Sequence, residues 1–162
     1  MAYVIEVPRI GTQPVATTST VQNHALGAIV TAKDPTYGAG EFIYLKGLDA
    51  TVVGSAVLYS ADDFSTSLLA ANDIGSVAIA MSACVTGSYG WYQIQGKGVV
   101  KAGTVADNGN VYSTATAGTL DDAVVAGDRV KNAKFASADG TPSAGLAEIE
   151  ISRPFVDDAV AA

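Results

Sequence analysis

Short strand-like runs recur along this chain, and most are followed within a few residues by a turn signal such as KDPTYGAG, ANDIG or ADNGN. Runs of this kind at a spacing of about 8–12 residues are typical of β-sandwiches and β-barrels. No segment shows the capped apolar repeat, with a period of about 3.6, that a long helix requires. We therefore expect an all-β fold: a compact antiparallel β-sandwich or small barrel with extended N- and C-terminal arms. The predicted strands cover residues 25–32, 41–47, 55–60, 66–70, 76–85, 91–96, 98–102, 110–114 and 146–152.

The two ends of the chain differ in composition from its middle, and this difference sets the predicted domain boundaries. Residues 1–24 contain Pro8, Pro14 and the polar run TTST, which favour extended chain over helix. We expect an N-terminal arm over residues 1–24, a single β domain over residues 25–152 and a C-terminal tail over residues 153–162. The arm is expected to bind outside its own domain. The alternative is that residues 3–7 form the first strand of the domain's own sheet.

Both predicted arms carry apolar and basic side chains that are candidates for contact with a partner. A terminal segment is usually loose unless other residues hold it, so apolar residues within it indicate an anchor. The candidate interface residues are Ile5, Val7, Arg9, Ile10, Val15, Arg153 and Phe155.

Composition argues against several classes of partner. The 162-residue chain has a formal net charge of −7, whereas proteins that bind nucleic acid carry basic patches. Arg129, Lys131 and Lys134 are interpreted as a solvated loop, so no nucleic-acid partner is expected. The uncharged stretch over residues 74–96 is interrupted by glycines and hydroxyl residues, so it is not a membrane span. The N-terminus lacks a secretory signal, and we expect synthesis in a cytoplasm.

Side chains that commonly carry catalysis are scarce. His24 is the only histidine, and no nucleophile motif accompanies it. The only cysteine, Cys84, lies in an apolar run without a basic neighbour, as is typical of a small buried residue. The adjacent carboxylates at 62–63, 121–122 and 157–158 would point to opposite faces of a strand. We therefore expect no enzyme activity, no catalytic residue, no cofactor and no bound metal, with a weak surface calcium site as the alternative.

The strand predicted over residues 76–85 indicates how the core is built. One face carries Val77, Ile79, Met81, Ala83 and Val85, and this face is expected to line the core. The other face carries only small side chains. We expect another segment to pack closely on it, either a loop, an arm or a neighbouring subunit.

Trp91 is the only tryptophan, and it lies between glycine-containing turns in the stretch GSYGWYQIQGKGVV. Alternation along a strand places it on the same face as Gln93 and Gln95. A tryptophan beside two glutamines suits a sugar-stacking site, and tryptophan is also enriched at protein interfaces. The flanking turns favour a third interpretation, in which the indole is mostly buried at one end of the domain. All three interpretations remain open at this point.

Three segments follow one another in a characteristic order: ALGAIVTAKDPTYGAGEFIYLKGL, then VAIAMSACVTGSYGWYQIQGKGVVKAG, then GNVYSTATAGTLDDAVVAGDRV followed by GLAEIEISRP. In order and composition these segments resemble the small all-β decoration, or cement, proteins of tailed-bacteriophage heads. The resemblance covers roughly residues 25–153 and leaves out both predicted arms.

The resemblance implies a non-enzymatic structural protein of the virion. Such a protein would bind the outer surface of the assembled major-capsid shell and reinforce it, after being made in the host cytoplasm. The implied partners are the major capsid protein and further copies of the chain itself, as a homo-oligomer such as a dimer or trimer. The alternative is a carbohydrate-binding or host-surface adhesion module.

Overall fold

The structure is a computed structural model that describes residues 3–5, 11–48 and 50–157. These residues form an all-β fold without a helix, as the spacing of strand and turn signals predicts. Every pairing between the strands is antiparallel, and the strands join in one hydrogen-bonded sheet that is not closed into a barrel. The strands are β1 (Val4–Ile5), β2 (Thr18–Ser19), β3 (Ile29–Asp34), β4 (Gly38–Lys46), β5 (Ala56–Tyr59), β6 (Thr66–Leu68), β7 (Ile74–Ala80), β8 (Tyr89–Lys101), β9 (Asn110–Ser113), β10 (Leu120–Asp121), β11 (Arg129–Phe135) and β12 (Leu146–Asp157).

The sheet folds over on itself because its two longest strands change partners. The strand order is β1-β3-β4-β8-β7-β12-β11-β9-β10, with β2 also paired to β8 and β5 and β6 added beside β7. The first half of β8 pairs with β4 and β7, and its second half pairs with β12. Near its own end, β12 pairs with β7 instead. The result is a sandwich-like body in which β7 has buried residues on both of its faces.

A bend in each long strand marks the change of partner. In β8 the bend is at Gly96, which has a φ of 104°. A Cβ at this position would lie 2.6 Å from the carbonyl oxygen of Ala39, so only glycine fits. In β12 the bend is at Arg153, which has a φ of 49°. Irregularities of this kind bend a strand and increase its twist.

Three clusters of buried side chains form the interior, and we name them by their composition and position. The aliphatic cluster consists of Ala56, Leu69, Val77, Ile79, Val100, Ala102, Val105, Val111, Leu120, Val130, Phe135, Ala147, Ile149, Ile151 and Val156. The central cluster consists of Ile43, Leu45, Val57, Ala78, Ala80, Cys84, Tyr92 and Ile94. The aromatic cluster consists of Val15, Ala32, Phe42, Tyr44, Met81 and Trp91.

Alternate residues of β7 enter different clusters. Val77 lies in the aliphatic cluster and Ala78 lies in the central cluster. The prediction that another segment packs on the small-residue face is confirmed, and that segment belongs to the chain's own fold. The strand ends at Ala80, and Ala83 and Val85 are exposed. The prediction that these two residues line the core is wrong, because the turn before β8 ends the alternation.

Most predicted strands are present with shifted ends, but β2, β10 and β11 were not predicted. The predicted strands over residues 91–96 and 98–102 form one strand, because Gly96 bends β8 without ending it. The interpretation of Arg129, Lys131 and Lys134 as a loop is wrong, since all three lie in β11. Asn132 has a φ of 59° and forms a bulge there, which disturbs the alternation that would have marked a strand.

The described parts of the predicted N-terminal arm pack against the chain's own domain. β1 pairs with β3, β2 pairs with β8, and Val15 is buried. The prediction that this arm binds outside its domain is therefore wrong for residues 3–5 and 11–24, and the alternative of a first strand in the same sheet holds for Val4 and Ile5. At the other end, β12 continues to Asp157, so the predicted boundary at residue 152 lies within a strand. None of the described residues belongs to a helix that is long and apolar enough to cross a membrane.

Candidate functional site

The Trp91 indole is almost completely buried, with 1% of its surface exposed. Its Nε1–H donates a hydrogen bond to the carbonyl oxygen of Gln13 at 2.9 Å. Its ring packs against Tyr44 with the two ring centres 4.9 Å apart. The prediction that the indole is mostly buried is confirmed. Because the ring is covered and its only donor is already paired, Trp91 does not present a stacking surface for a sugar.

Gln13 joins the N-terminal segment to β4 and β8. Its side-chain Oε1 accepts a hydrogen bond from the Tyr44 hydroxyl at 2.9 Å, and its Nε2 donates to the Tyr89 carbonyl oxygen at 3.2 Å. Its backbone N–H donates to His24 Nε2 at 3.0 Å. We call Gln13, His24, Tyr44 and Trp91 the Gln13 clamp. No local pattern marks Gln13 in the sequence, since Tyr44 and Trp91 are 31 and 78 residues away.

A cavity of about 490 Å³ lies beside the Gln13 clamp, and His24 and Trp91 form part of its wall. The other described lining residues are Ile5, Gly11, Thr12, Asn23, Ala28, Ile29, Val30 and Thr31. A Ser–His–Asp site requires a carboxylate that orients the histidine. No described residue in this wall is charged, and His24 Nε2 already accepts the Gln13 N–H. The geometry around His24 is therefore that of a structural hydrogen bond.

Cys84 lies in the central cluster with 1% of its surface exposed. Burial raises the pKa of the Cys84 thiol, which disfavours the thiolate that a nucleophile requires. The prediction that Cys84 is a small buried residue is confirmed.

The adjacent carboxylates hold turns together. Asp63 Oδ1 accepts hydrogen bonds from the Ser65 hydroxyl at 2.7 Å and the Ser65 N–H at 3.1 Å, and these bonds lower the pKa of Asp63. Asp122 Oδ2 accepts from the Ala106 N–H at 2.8 Å. Within the described parts of the chain, no three His, Cys, Asp or Glu side chains are grouped so that they could hold a metal ion.

An exposed apolar surface lies where β12 runs between β7 and β11. The strand register places Phe155 between Ser76 and Lys131, and it places Ile74 beside Asp157. Ile74 is 68% exposed and Phe155 is 38% exposed. Lys131 Nζ lies 5.6 Å from the centre of the Phe155 ring and forms an ion pair with Asp157. We call these five residues the strand surface.

The loop between β10 and β11 carries further exposed apolar side chains. The Asn72 N–H donates to the buried Asp128 carboxylate at 2.6 Å, which holds the end of this loop beside the start of β7. The loop carries Val124 and Val125, which are 80% and 47% exposed. Single exposed apolar side chains are ordinary, but a group of them with a polar border is typical of an interaction site.

A second exposed apolar surface is formed by the loops that precede β5 and β8. Its members are Leu48, Val52, Val53 and Val85, each between 36% and 48% exposed. The Leu48 N–H donates to the Cys84 carbonyl oxygen at 3.2 Å, which brings the two loops together. We call these four residues the loop surface.

The strand surface and the loop surface lie at opposite ends of β7. Ile74 begins this strand, whereas Val85 lies in the loop that follows it. A strand rises about 3.3 Å per residue, so β7 holds the two surfaces about 20 Å apart. The described fold therefore offers two separate apolar contacts on one sheet.

The structure separates the predicted interface residues into two groups. Arg153 and Phe155 lie exposed on β12, and Arg153 pairs with Glu41 at 2.5 Å. Val15 is buried in the aromatic cluster, and Ile5 packs against the same cluster. The prediction that Val15 contacts a partner is corrected, because the chain's own strands cover its side chain. Ile5 is only partly buried, so its contact with a partner stays a prediction. Val7, Arg9 and Ile10 lie outside the described residues.

Sequence reasoning did not single out Ile74, Val124 or Val53 for an interaction surface. An apolar residue in a β-rich sequence is expected in the core, and only the folded chain shows which of these side chains remain exposed. No protein-family model matches the chain, and no curated protein is significantly similar to it.

Proposed function

We propose that this chain is a non-enzymatic structural protein of a virion, which binds the outer surface of the assembled major-capsid shell and stabilises it. The resemblance of residues 25–153 to bacteriophage decoration proteins supports the proposal. The structural observation that carries it is the pair of exposed apolar surfaces at opposite ends of β7. Two separate contacts on one small sheet suit a protein that joins neighbouring subunits of a shell.

Burial of the two surfaces is the expected source of binding free energy. Full burial of an exposed Val, Ile or Phe side chain contributes about 1.5–3 kcal/mol, and a side chain that is already partly covered, such as Phe155, contributes correspondingly less. Part of this gain is offset by the freedom that two proteins lose on association. The two surfaces together therefore support binding that either surface alone supports only weakly.

Stabilisation of the shell follows from linkage. A protein that binds only the assembled shell lowers the free energy of the assembled state relative to separate subunits. When one surface is bound, the other is held near its own target, so the second contact forms as an intramolecular step. Because a symmetric shell repeats the same binding site many times, a modest stabilisation at each site adds up over the whole shell.

Charge favours the outer face of the shell. The chain has a net charge of −7, and the DNA inside a filled shell is also negatively charged. Repulsion between the two therefore favours binding to the outer face. Asp121 ends β10 and Asp122 begins the loop that carries Val124 and Val125, so the border of this loop is acidic. The expected target is an apolar patch with basic residues around it.

The proposal is tested by binding to assembled shells of the major capsid protein encoded in the same genome. Co-sedimentation is expected to show saturable binding to assembled shells and none to unassembled capsid protein. Bound shells are expected to melt at a higher temperature than bare shells. Absence of binding to shells would contradict the proposal.

Variants of each surface sharpen this test. Ile74→Ser alters the strand surface and Val53→Ser alters the loop surface, and both side chains are exposed, so folding is expected to be unchanged. Each variant is expected to bind shells at least about tenfold more weakly, because one of two linked contacts is lost. Val21→Ser is the matched control, since Val21 is 67% exposed and belongs to neither surface. Equal binding by all three variants would contradict the assignment of the two surfaces.

A second copy of the chain is the other partner that these surfaces suit, as the expected homo-oligomer. Analytical ultracentrifugation of the isolated protein separates the two cases. If Ile74→Ser converts a dimer or trimer to a monomer and leaves shell binding intact, the strand surface serves self-association. The sugar-binding alternative draws no support from Trp91, whose indole is covered.

A further inference from the structure

The Gln13 clamp contains the chain's only histidine. His24 Nε2 accepts a hydrogen bond from the Gln13 backbone N–H at 3.0 Å. A ring nitrogen accepts a hydrogen bond only when it carries no proton, so His24 is neutral in this arrangement. His24 is only half-buried, and it lines the cavity beside the clamp, so protons can reach its ring.

Protonation of His24 reverses this contact. Both nitrogens of an imidazolium carry hydrogen, so the Nε2–H would face the Gln13 N–H and neither group would accept. Histidine is the side chain that ordinarily changes charge between pH 5 and 8. We propose that protonation of His24 opens the Gln13 clamp and releases residues 11–24 from β4 and β8. This pH-sensitive latch goes beyond the proposed function and does not depend on it.

The side chains that face His24 from β4 and β8 in the described part of the chain are aromatic. β4 presents Tyr44, with its ring centre 5.0 Å from that of His24, and β8 presents Trp91 at 5.2 Å, with Tyr89 stacked on Tyr44. Burial raises the pKa of Tyr44, so this group is neutral between pH 5 and 8. No described residue that lines the cavity carries a charge.

The two aromatic rings attract a cation placed over their faces. This attraction acts on the imidazolium ring as a whole, and it does not itself supply a hydrogen-bond acceptor to the two facing N–H groups. Glu6 and Arg9, the charged residues nearest in sequence to Gln13, lie outside the described residues. The aromatic attraction therefore opposes opening of the clamp, whereas loss of the hydrogen bond from the Gln13 N–H to His24 favours it. The experiment below measures the balance of the two.

Opening of the clamp is expected to be local. Gln13 is bonded to Trp91, Tyr44 and Tyr89 at once, so its departure uncovers the Trp91 indole and frees the Tyr44 hydroxyl. The aliphatic cluster contains no member of residues 11–24, so it remains packed.

The single tryptophan provides a direct measurement. Between pH 8 and pH 5, wild-type protein is expected to show a red shift of Trp91 emission and a several-fold rise in quenching by iodide, with an unchanged far-UV circular dichroism spectrum. This range stays above the ordinary titration of carboxylates, which lies near pH 4. His24→Gln is the matched control, because its side-chain oxygen can accept the same N–H but does not titrate. This variant is expected to show no transition in the same range.

Two results would overturn the proposal: a constant Trp91 emission in the wild type, or the same transition in His24→Gln. His24→Phe lacks the acceptor, and it is expected to expose Trp91 to iodide even at pH 8. If His24→Phe fails to fold, the comparison of wild type with His24→Gln still decides the question.

Discussion

The aromatic and aliphatic clusters are two parts of one sheet that are held together in different ways. In the aromatic cluster, Trp91 and Tyr44 are bonded through their polar atoms to Gln13, at 2.9 Å in each case. The aliphatic cluster is built from side chains such as Leu120 and Ile149 and contains no titratable group. The first cluster depends on the direction of a few hydrogen bonds, and the second depends on buried apolar area, which has no direction.

The two clusters are therefore sensitive to different kinds of substitution. A packed aliphatic interior responds mainly to lost volume, and swaps between apolar side chains of similar size cost little. A hydrogen-bonded aromatic interior is also sensitive to pH, to displacement of the Gln13 amide, and to displacement of residues 11–24, which supply the hydrogen-bond partners of Tyr44 and Trp91. Residues 11–24 therefore contribute to the stability of the aromatic cluster far more than to that of the aliphatic cluster.

The largest expected effect is that of Trp91→Ala compared with Ile149→Ala. Removal of the indole is expected to lower the free energy of unfolding by about 3–5 kcal/mol, and removal of the Ile149 side chain by about 2–5 kcal/mol. Urea denaturation measures both. The comparison is sharpened by limited proteolysis, which is expected to cut residues 11–24 sooner in Trp91→Ala only. Equal cutting of this segment in both variants would show that the two clusters are not independent.

A smaller effect is expected from Gly98→Ala, which tests how closely Gln93 is packed. Gln93 is the next residue after Trp91 on the same face of β8. An added Cβ would lie 2.1 Å from Gln93 Oε1, and Gln93 is fully buried. The Gln93 Nε2 donates to the carbonyl oxygens of Gln95 and Lys97 at 3.2 and 3.0 Å, so the amide cannot easily move. Overpacking of this kind costs about 1–3 kcal/mol.

Two controls accompany Gly98→Ala. Gly103→Ala is expected to change stability little, because its added Cβ would have Asp121 Cβ as its nearest neighbour, at 3.5 Å. In a Gln93→Ala background the cost of Gly98→Ala is expected to fall, since the clashing atom is gone. An unchanged cost in that background would show that the strain lies in the backbone instead.

A pH-dependent effect is expected from Tyr3, which packs against the aromatic cluster. Burial raises the pKa of Tyr3 to about 12. Its hydroxyl also donates to the Lys97 carbonyl oxygen at 2.6 Å, a bond that the tyrosinate cannot make. An unfolded tyrosine loses its proton near pH 10, so the contribution of Tyr3 is fully present below pH 10 and is lost as the pH rises to about 12.

Thermal melts from pH 9 to pH 12 measure this loss, with Tyr3→Phe as the control. The variant is expected to be less stable at pH 9 and to lose less stability on the way to pH 12. Burial also raises the pKa of Tyr92, in the central cluster, so part of the alkaline loss is expected to remain. Parallel curves for wild type and Tyr3→Phe would contradict the role assigned to Tyr3.

The smallest effect is expected from Lys134→Gln, which lies outside both clusters. Lys134 Nζ is 3.4 Å from Glu150 Oε2, and both side chains are about half exposed. Exposed ion pairs contribute about 0–1 kcal/mol, and salt screens them. A loss larger than that in urea denaturation would indicate that the charged residues of β11 and β12 stabilise the aliphatic cluster beneath them.

Local signals in the sequence predicted the all-β class and the approximate place of most strands. Turn signals such as the Asp34 turn lie within a few residues of the groups they organise: the Asp34 carboxylate accepts from the N–H groups of Thr36 and Tyr37 at 2.7 and 3.0 Å. The buried state of Trp91 was also predicted, because glycine turns on both sides indicated a core strand. Bulged or very short strands such as β11 and β2 were missed, since a bulge removes the alternation on which strand prediction depends.

The candidate sites were the least predictable part of the molecule. Phe155 and Val15 were both expected to be interface residues, but Phe155 is exposed and Val15 is buried. Both are apolar residues near a proline in a terminal segment, and their sequence surroundings do not distinguish them. The difference arises because β8 and its neighbours cover Val15, and no described strand covers Phe155.

The period-two pattern and the turn signals can be recognised in the sequence alone, and they suffice for an antiparallel β fold because each acts over a few residues. Three features emerge only in the folded chain: β8 and β12 exchange partners, both faces of β7 are covered, and Gln13 forms hydrogen bonds with Tyr44 and Trp91. These features join residues far apart in the chain. Their free energy comes from contacts that exist only when the sheet has folded over on itself, so no local pattern encodes them.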